Sequence, residues 1–141
     1  MKYIFKITIC LLALSLTACS TTNKSSLYQE LGGEQKVAEI VDNFIGEIEF
    51  NADIYHYFKE SDITRFREKL NEHICFLTNG PCQYTGDSMV DVHTGMNMTE
   101  RDFNLGVDLF INAMTKANVP HPIQNKVLKV MATTRKEIIY L

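Results

Sequence analysis

The side chains best suited to metal or redox chemistry in this 141-residue chain are its four histidines and four cysteines. Cys75 and Cys82 stand seven positions apart. An oxidising compartment permits a disulfide between them, because a helix end that turns back can bring two α-carbons within the ~5.5–6 Å such a bond needs. Two free thiols are the other reading, and the residues leave both open. His93 lies in the stretch from Asn79 to Asn97, which holds Gly80-Pro81, Gly86 and Gly95. That composition predicts an irregular segment with at most a short helix from Ser88 to His93. A loop this long inside a compact domain is often functional. His56 and His121 read as surface residues, and Glu47 and Glu49 as a solvated helix end. The chain has no Ser/His/Asp order, no metal-spaced cysteine set and no phosphate-binding loop.

Four stretches of helical periodicity must position these groups. The first carries Val37, Ile40, Val41, Phe44, Ile45 and Ile48; the second Phe66, Leu70, Ile74 and Leu77. The third carries Phe103, Val107, Phe110, Ile111 and Met114, and the fourth Ile123, Val127, Val130, Met131 and Ile138. Each spacing buries one stripe. Gly32-Gly33 breaks the chain before the first, and Asn118-Val119-Pro120-His121-Pro122 breaks it between the third and fourth. The expected architecture is all-α: two helices, a long loop bearing a histidine, then two more helices. Four amphipathic helices by themselves name no ligand.

The chain fits a single domain in length, and 45% hydrophobic content supplies a core. A formal charge of −3 without a basic run argues against nucleic acid. Lys2 and Lys6 precede an apolar run from Ile7 to Leu16, the layout of a secretory signal, too short for a comfortable membrane span. The run ends Leu16-Thr17-Ala18-Cys19, which resembles a bacterial lipobox. The resemblance implies cleavage after Ala18, lipidation of Cys19 and a membrane anchor. Ser20 in place of Asp implies the outer membrane, facing the periplasm, if the source is Gram-negative. Residues 1–18 are thus expected to be the signal, 19–26 a polar tether and 27–141 the folded domain. No apolar run after residue 18 is long enough to cross a bilayer.

Three further stretches occur together: Ser26-Leu27-Tyr28-Gln29-Glu30-Leu31-Gly32-Gly33, then Asn79-Gly80-Pro81-Cys82-Gln83-Tyr84-Thr85-Gly86-Asp87-Ser88-Met89, then Val92-His93-Thr94-Gly95-Met96-Asn97-Met98-Thr99 leading to Phe103. In this order and spacing the chain resembles a group I truncated haemoglobin over about residues 26–140. The resemblance implies a two-over-two helical sandwich, a shortened globin, with haem b between the second helix and the His93 segment. His93 matches the proximal ligand, and neutral imidazole is the usual axial donor to globin iron. Phe58 matches the aromatic that packs on the haem face. Met89, Val92, Met98, Phe103 and Val107 are expected as apolar walls.

The distal side departs from the family pattern. Many members place a Tyr directly after the aromatic of the first long helix, where this chain has Phe44 followed by Ile45. The two inward positions of the second helix, often Gln, are Phe66 and Leu70. Dioxygen as a ligand carries partial negative charge, which a dry apolar pocket stabilises poorly. Lys69 matches a position where some relatives supply an internal sixth ligand; a Lys ligates only when neutral, and pairing with a propionate or facing solvent is the alternative. His73, one turn on, is a second possible distal ligand, or an edge or surface residue. Arg65 is a candidate propionate partner, or a solvated charge.

The function implied is reversible binding of oxygen, nitric oxide or carbon monoxide, or passage of one electron. Nitric oxide dioxygenation or peroxidase-like turnover at the same haem is the enzymatic alternative. It requires an external electron donor, because this chain has no flavin or nicotinamide motif. A haem-free binding lipoprotein is the third reading.

Overall fold

The computed structural model describes residues 25–141. The expected signal, the expected lipidation site Cys19 and the rest of the tether up to residue 24 lie outside them. Seven helices follow: α1 (Leu27–Leu31), α2 (Gly33–Glu49), α3 (Ala52–Tyr55), α4 (Ile63–Leu77), α5 (Met89–His93), α6 (Glu100–Lys116) and α7 (His121–Met131), with a 3-10 segment, Ala132–Glu137, after α7. Among the described residues there is no strand, and no helix is long and apolar enough to cross a membrane.

Side-chain caps set most of the helix starts. Ser26, Asn51, Asp62, Ser88 and Thr99 each accept a bond from a backbone N–H of the first turn they precede. Such caps stabilise a helix by about 1 kcal/mol each. Ser26 forms a full capping box with Gln29, so the ordered domain begins at a residue expected to end the tether. Gly32, at φ 115°, is the left-handed joint between α1 and α2; a Cβ there is strained by the backbone alone.

The four long helices, α2, α4, α6 and α7, make the two-over-two sandwich and share one main core. Helix α2 packs most extensively on α6 and then on α4. Ile40 and Val41 from α2, Ile74 from α4, Met114 from α6 and Val127 from α7 are fully buried at the centre. Helix α1 closes one end: Tyr28 N–H donates to the Thr78 carbonyl (2.8 Å), and Glu30 pairs with Lys126 of α7. A second apolar cluster of Ile48, Ile54 and Leu109, joined by Phe58 and Phe66, fills the other end.

The fourth periodic stretch does not run to Ile138 as a helix. Helix α7 ends at Met131, and the hydroxyls of Thr133 and Thr134 donate back to the carbonyls of Val130 and Met131. That local bonding competes with the helical ladder and tightens the chain into 3-10 geometry.

Cys75 and Cys82 are joined as a disulfide with α-carbons 5.9 Å apart. It ties the end of α4 to the start of the loop toward α5. Gly80 lies inside this bend: a Cβ there would fall 2.5 Å from Cys75 Sγ and 2.9 Å from its carbonyl oxygen. In the loop-entropy account, closing so short a loop stabilises a fold by about 2–3 kcal/mol. The double variant Cys75→Ser/Cys82→Ser is expected to unfold in urea with stability reduced by that amount. An unchanged midpoint would show that the loop is held without the bond.

Candidate functional site

His93 closes α5, a helix of only five residues. A helix this short is not stable alone, so its neighbours fix the histidine. Its Nδ1 lies 2.7 Å from the Met89 carbonyl oxygen. A carbonyl only accepts, so Nδ1 carries the proton and, in the neutral ring, Nε2 keeps the free lone pair. Burial pushes the His93 pKa down, against the Met89 carbonyl, which favours the charged ring. The site therefore holds an oriented, neutral imidazole.

Among the described residues no group of three or more His, Cys, Asp or Glu is placed to hold a metal ion. A single imidazole suits a metal whose other positions belong to a prosthetic group. The surrounding side chains have a matching character. Met89, Met98, Phe103 and Val107 are half-buried and Val92 is 40% exposed, and none of the five belongs to either core cluster. They form apolar surface on α5, α6 and the turn between them that the protein's own cores do not use.

Phe44, Ile45 and Leu70 border the main core, and Phe44 meets Phe110 edge-on with ring centroids 5.4 Å apart. Phe58 and Phe66 are in edge contact at 4.9 Å. A cavity of about 400 Å³ brings Ile45, Phe58 and Phe66 together with Ile48, Tyr55 and Ile63, and Glu49, Lys59, Ser61 and Arg67 complete its lining. Phe44, Ile45, Phe58, Phe66 and Leu70 carry no polar side-chain atom.

Two expected polar partners are engaged elsewhere. Lys69 Nζ donates to Glu68 (2.7 Å), Glu72 (3.0 Å) and the Thr85 hydroxyl (2.8 Å). Bonds to the two carboxylates raise its pKa. Since only neutral lysine ligates, this pairing opposes a sixth-ligand role, and Lys69 instead bridges α4 to the loop. Arg65 pairs with Asp87 at 2.8 Å on the surface, a partner any propionate must displace. His73 is buried, its ring 4.9 Å from that of Tyr84. Burial pushes its pKa down; Glu137 opposes this and His93 reinforces it, so both imidazoles lie within electrostatic reach. Tyr84 in turn donates to the Asp87 carbonyl at 2.7 Å, just ahead of the Ser88 cap of α5.

Residues that sequence reasoning passed over do much of the positioning. Glu72 accepts from the Thr85 N–H (2.9 Å) and hydroxyl (2.8 Å). These bonds and Lys69 hold its carboxyl down to about 2, the backbone N–H acting most strongly. The Lys69–Glu72 half of this network was visible as an i,i+3 pair; the Thr85 half carries no local signal. Tyr57 donates to Asp102 at 3.0 Å, fixing the turn after α3 to the first turn of α6. Because the Glu72 pKa is lowered from 4.5 to about 2 on folding, its stabilisation is complete above pH ~4.5 and is lost as pH falls toward ~2. Thermal unfolding at pH 6 and pH 3 is expected to show a smaller difference for Glu72→Gln than for the unaltered chain; equal differences would refute this.

Residues 26–140 match the family described as Bacterial-like globin. The group 1 truncated haemoglobin of Tetrahymena pyriformis is 25% identical over 114 residues, covering 81% of this chain and 94% of that protein. A group 1 truncated haemoglobin of Mycolicibacterium paratuberculosis is 28% identical over 114 residues, covering 81% and 84%. The crystal structure of the Tetrahymena pyriformis protein in its Fe(III) form matches with a TM-score of 0.80 at 25% identity, over 83% of this chain and 100% of that one.

Proposed function

This chain belongs to the bacterial-like globin family, in its truncated group 1 form, and on that premise we propose that it binds haem b through His93 and takes a diatomic gas in a pocket poor in hydrogen-bond donors. The observation that carries the reading is the His93 ring. Its Nδ1 is committed to the Met89 carbonyl at 2.7 Å, which leaves Nε2 as the donor. A hydrogen-bonded second nitrogen is what fixes the tautomer and orientation of a ligating histidine. When bound, haem supplies an iron centre that accepts oxygen, nitric oxide or carbon monoxide, or one electron.

This chain's residues do the rest. Met89, Val92, Met98, Phe103 and Val107 offer apolar surface that a porphyrin face would cover, each fully buried side chain of this kind stabilising by about 1.5–3 kcal/mol. Phe44, Ile45, Phe58, Phe66 and Leu70 face the opposite side and themselves offer no donor to an incoming gas, the polar Glu49, Lys59 and Arg67 also lining the cavity there. That environment favours carbon monoxide and nitric oxide over oxygen, which alone gains much from a hydrogen bond. His73 remains the one polar side chain among those assigned to the distal side that is not committed to an ion pair. An electron donor, where the iron turns over, is a separate molecule. Attachment to a membrane surface through lipid on Cys19 rests on the Leu16-Thr17-Ala18-Cys19 motif and is part of the same proposal.

The test is a titration of the purified chain with hemin, followed by absorption. A sharp Soret band that saturates at one haem per chain, and that shifts when carbon monoxide is added to the reduced form, is the expected result. A titration that never departs from free hemin would overturn the haem reading.

A further inference from the structure

Residues 132–141 are attached to α5, to the chain that follows it and to the start of α6. The 3-10 segment, Ala132–Glu137, packs on α5. Arg135 lies over the Phe103 ring, 5.7 Å from its centroid, and pairs with Glu100 in the first turn of α6. Beyond it, two backbone bonds run between the chain end and the residues that follow His93: Asn97 N–H donates to the Leu141 carbonyl, and Tyr140 N–H to the Met98 carbonyl, both at 2.9 Å.

Met96 N–H bonds back to the His93 carbonyl at 3.1 Å, so only the turn Thr94-Gly95-Met96 separates the histidine from this pairing. Gly95 and Asn97 both adopt positive φ, 85° and 50°, which brings the chain round sharply after α5. Tyr140 also sits at φ 58° and is 64% exposed. A bulky residue in the left-handed region, with little burial in return, is held there by its surroundings. What the conformation secures is the Tyr140 N–H aimed at Met98.

We propose that residues 132–141 form a clasp that positions His93, with Tyr140 as a positioning residue acting through its backbone, and that this clasp governs how long haem is retained. The proposal rests on the haem reading above. A five-residue helix has no rigidity of its own. The Glu72–Thr85 contacts restrain the loop that leads into it, and the clasp restrains the chain that leaves it. With either lost, the Nε2 lone pair would wander from the direction the iron requires.

Tyr140→Pro tests this with little disturbance elsewhere, because the residue it replaces is exposed. Proline has no N–H and cannot adopt positive φ, so both features of the clasp go. Tyr140→Gly keeps the N–H and accepts the left-handed backbone. Both variants are first checked for unaltered helical circular dichroism. In the haem-free protein, amide exchange at Asn97 is expected to accelerate in Tyr140→Pro. In the loaded protein, haem transfer to a scavenging apoglobin is expected to speed up by roughly tenfold, the scale of one or two lost hydrogen bonds, and the ferrous iron–histidine stretching band to shift or broaden. Tyr140→Gly is expected to lose haem several-fold more slowly than Tyr140→Pro. Unchanged Asn97 exchange would overturn the clasp itself. Faster exchange with unchanged haem loss and stretching band would overturn its role at His93, as would equal haem loss from the two variants. An unaltered chain that takes up no hemin would remove the haem reading, and this inference with it.

Discussion

His93→Ala is expected to lose tight haem binding, with affinity reduced by more than about a hundredfold. Removing even a hydrogen-bonded supporter of a metal ligand costs 10–100-fold in comparable sites, and this change deletes the proposed ligand itself. The variant leaves the fold in place, since His93 is half-buried at the end of a short helix and belongs to neither apolar core. Hemin titrated into it should give the broad absorption of weakly held hemin where the unaltered chain gives a sharp Soret band. Added imidazole should restore part of the lost intensity, because the Met89 carbonyl that oriented the ring remains. If the variant kept an unaltered spectrum, the proximal donor would be another nitrogen, and His73 would be the first to replace.

Leu70→Gln is expected to slow oxygen release by about ten- to a hundredfold while changing carbon monoxide release little. A hydrogen bond to a group that carries charge contributes about 1.5–3 kcal/mol, and the polarised ligand is oxygen. No donor side chain occurs among Phe44, Ile45, Phe58, Phe66 and Leu70, so one amide adds a donor that these five positions lack. Leu70 also packs at the border of the main core. Burying an amide there costs stability, about 1–3 kcal/mol if the group finds no partner. Stopped-flow displacement of oxygen by carbon monoxide reads the first effect and thermal unfolding the second. Equal oxygen release from both proteins would show that Leu70 does not face the gas.

The four long helices were legible because each buries a stripe with regular spacing, and the breaks at Gly32-Gly33 and Asn118–Pro122 because of their Gly, Asn and Pro; the caps Asp62 and Thr99 went unread. The glycines and proline from Asn79 to Asn97 left room for at most a short helix over Ser88–His93, and α5 occupies Met89–His93. The second apolar cluster was only half visible: Ile48 sat on a periodic stripe, while Ile54 lies in a four-residue helix that exists through its contacts with α2 and α6. The end of α7 was misplaced because Ile138 continues the helical spacing, and periodicity does not register the back-bonding of Thr133 and Thr134. Lys69 shows the limit most clearly. Its sequence position suited a ligand, yet its ammonium is held by Glu68, Glu72 and Thr85, and the last of these is sixteen residues away. Pairings between distant backbones, such as Asn97 with Leu141, leave no trace in residue type at all.

The seating of α1 against α7 also places the N-terminal side of the domain at one pole. Ser26 emerges where Tyr28 meets Thr78 and Glu30 meets Lys126. From there α2 runs seventeen residues, about 25 Å at the helical rise, and its far end carries Ile45, Ile48 and Glu49 into the lining of the 400 Å³ cavity. A chain tethered at its N-terminal side is therefore held by one pole and presents the cavity at the other. On the proposed lipid anchor at Cys19, the tether would enter the domain at its α1 end, with the cavity mouth about one helix length away from that entry.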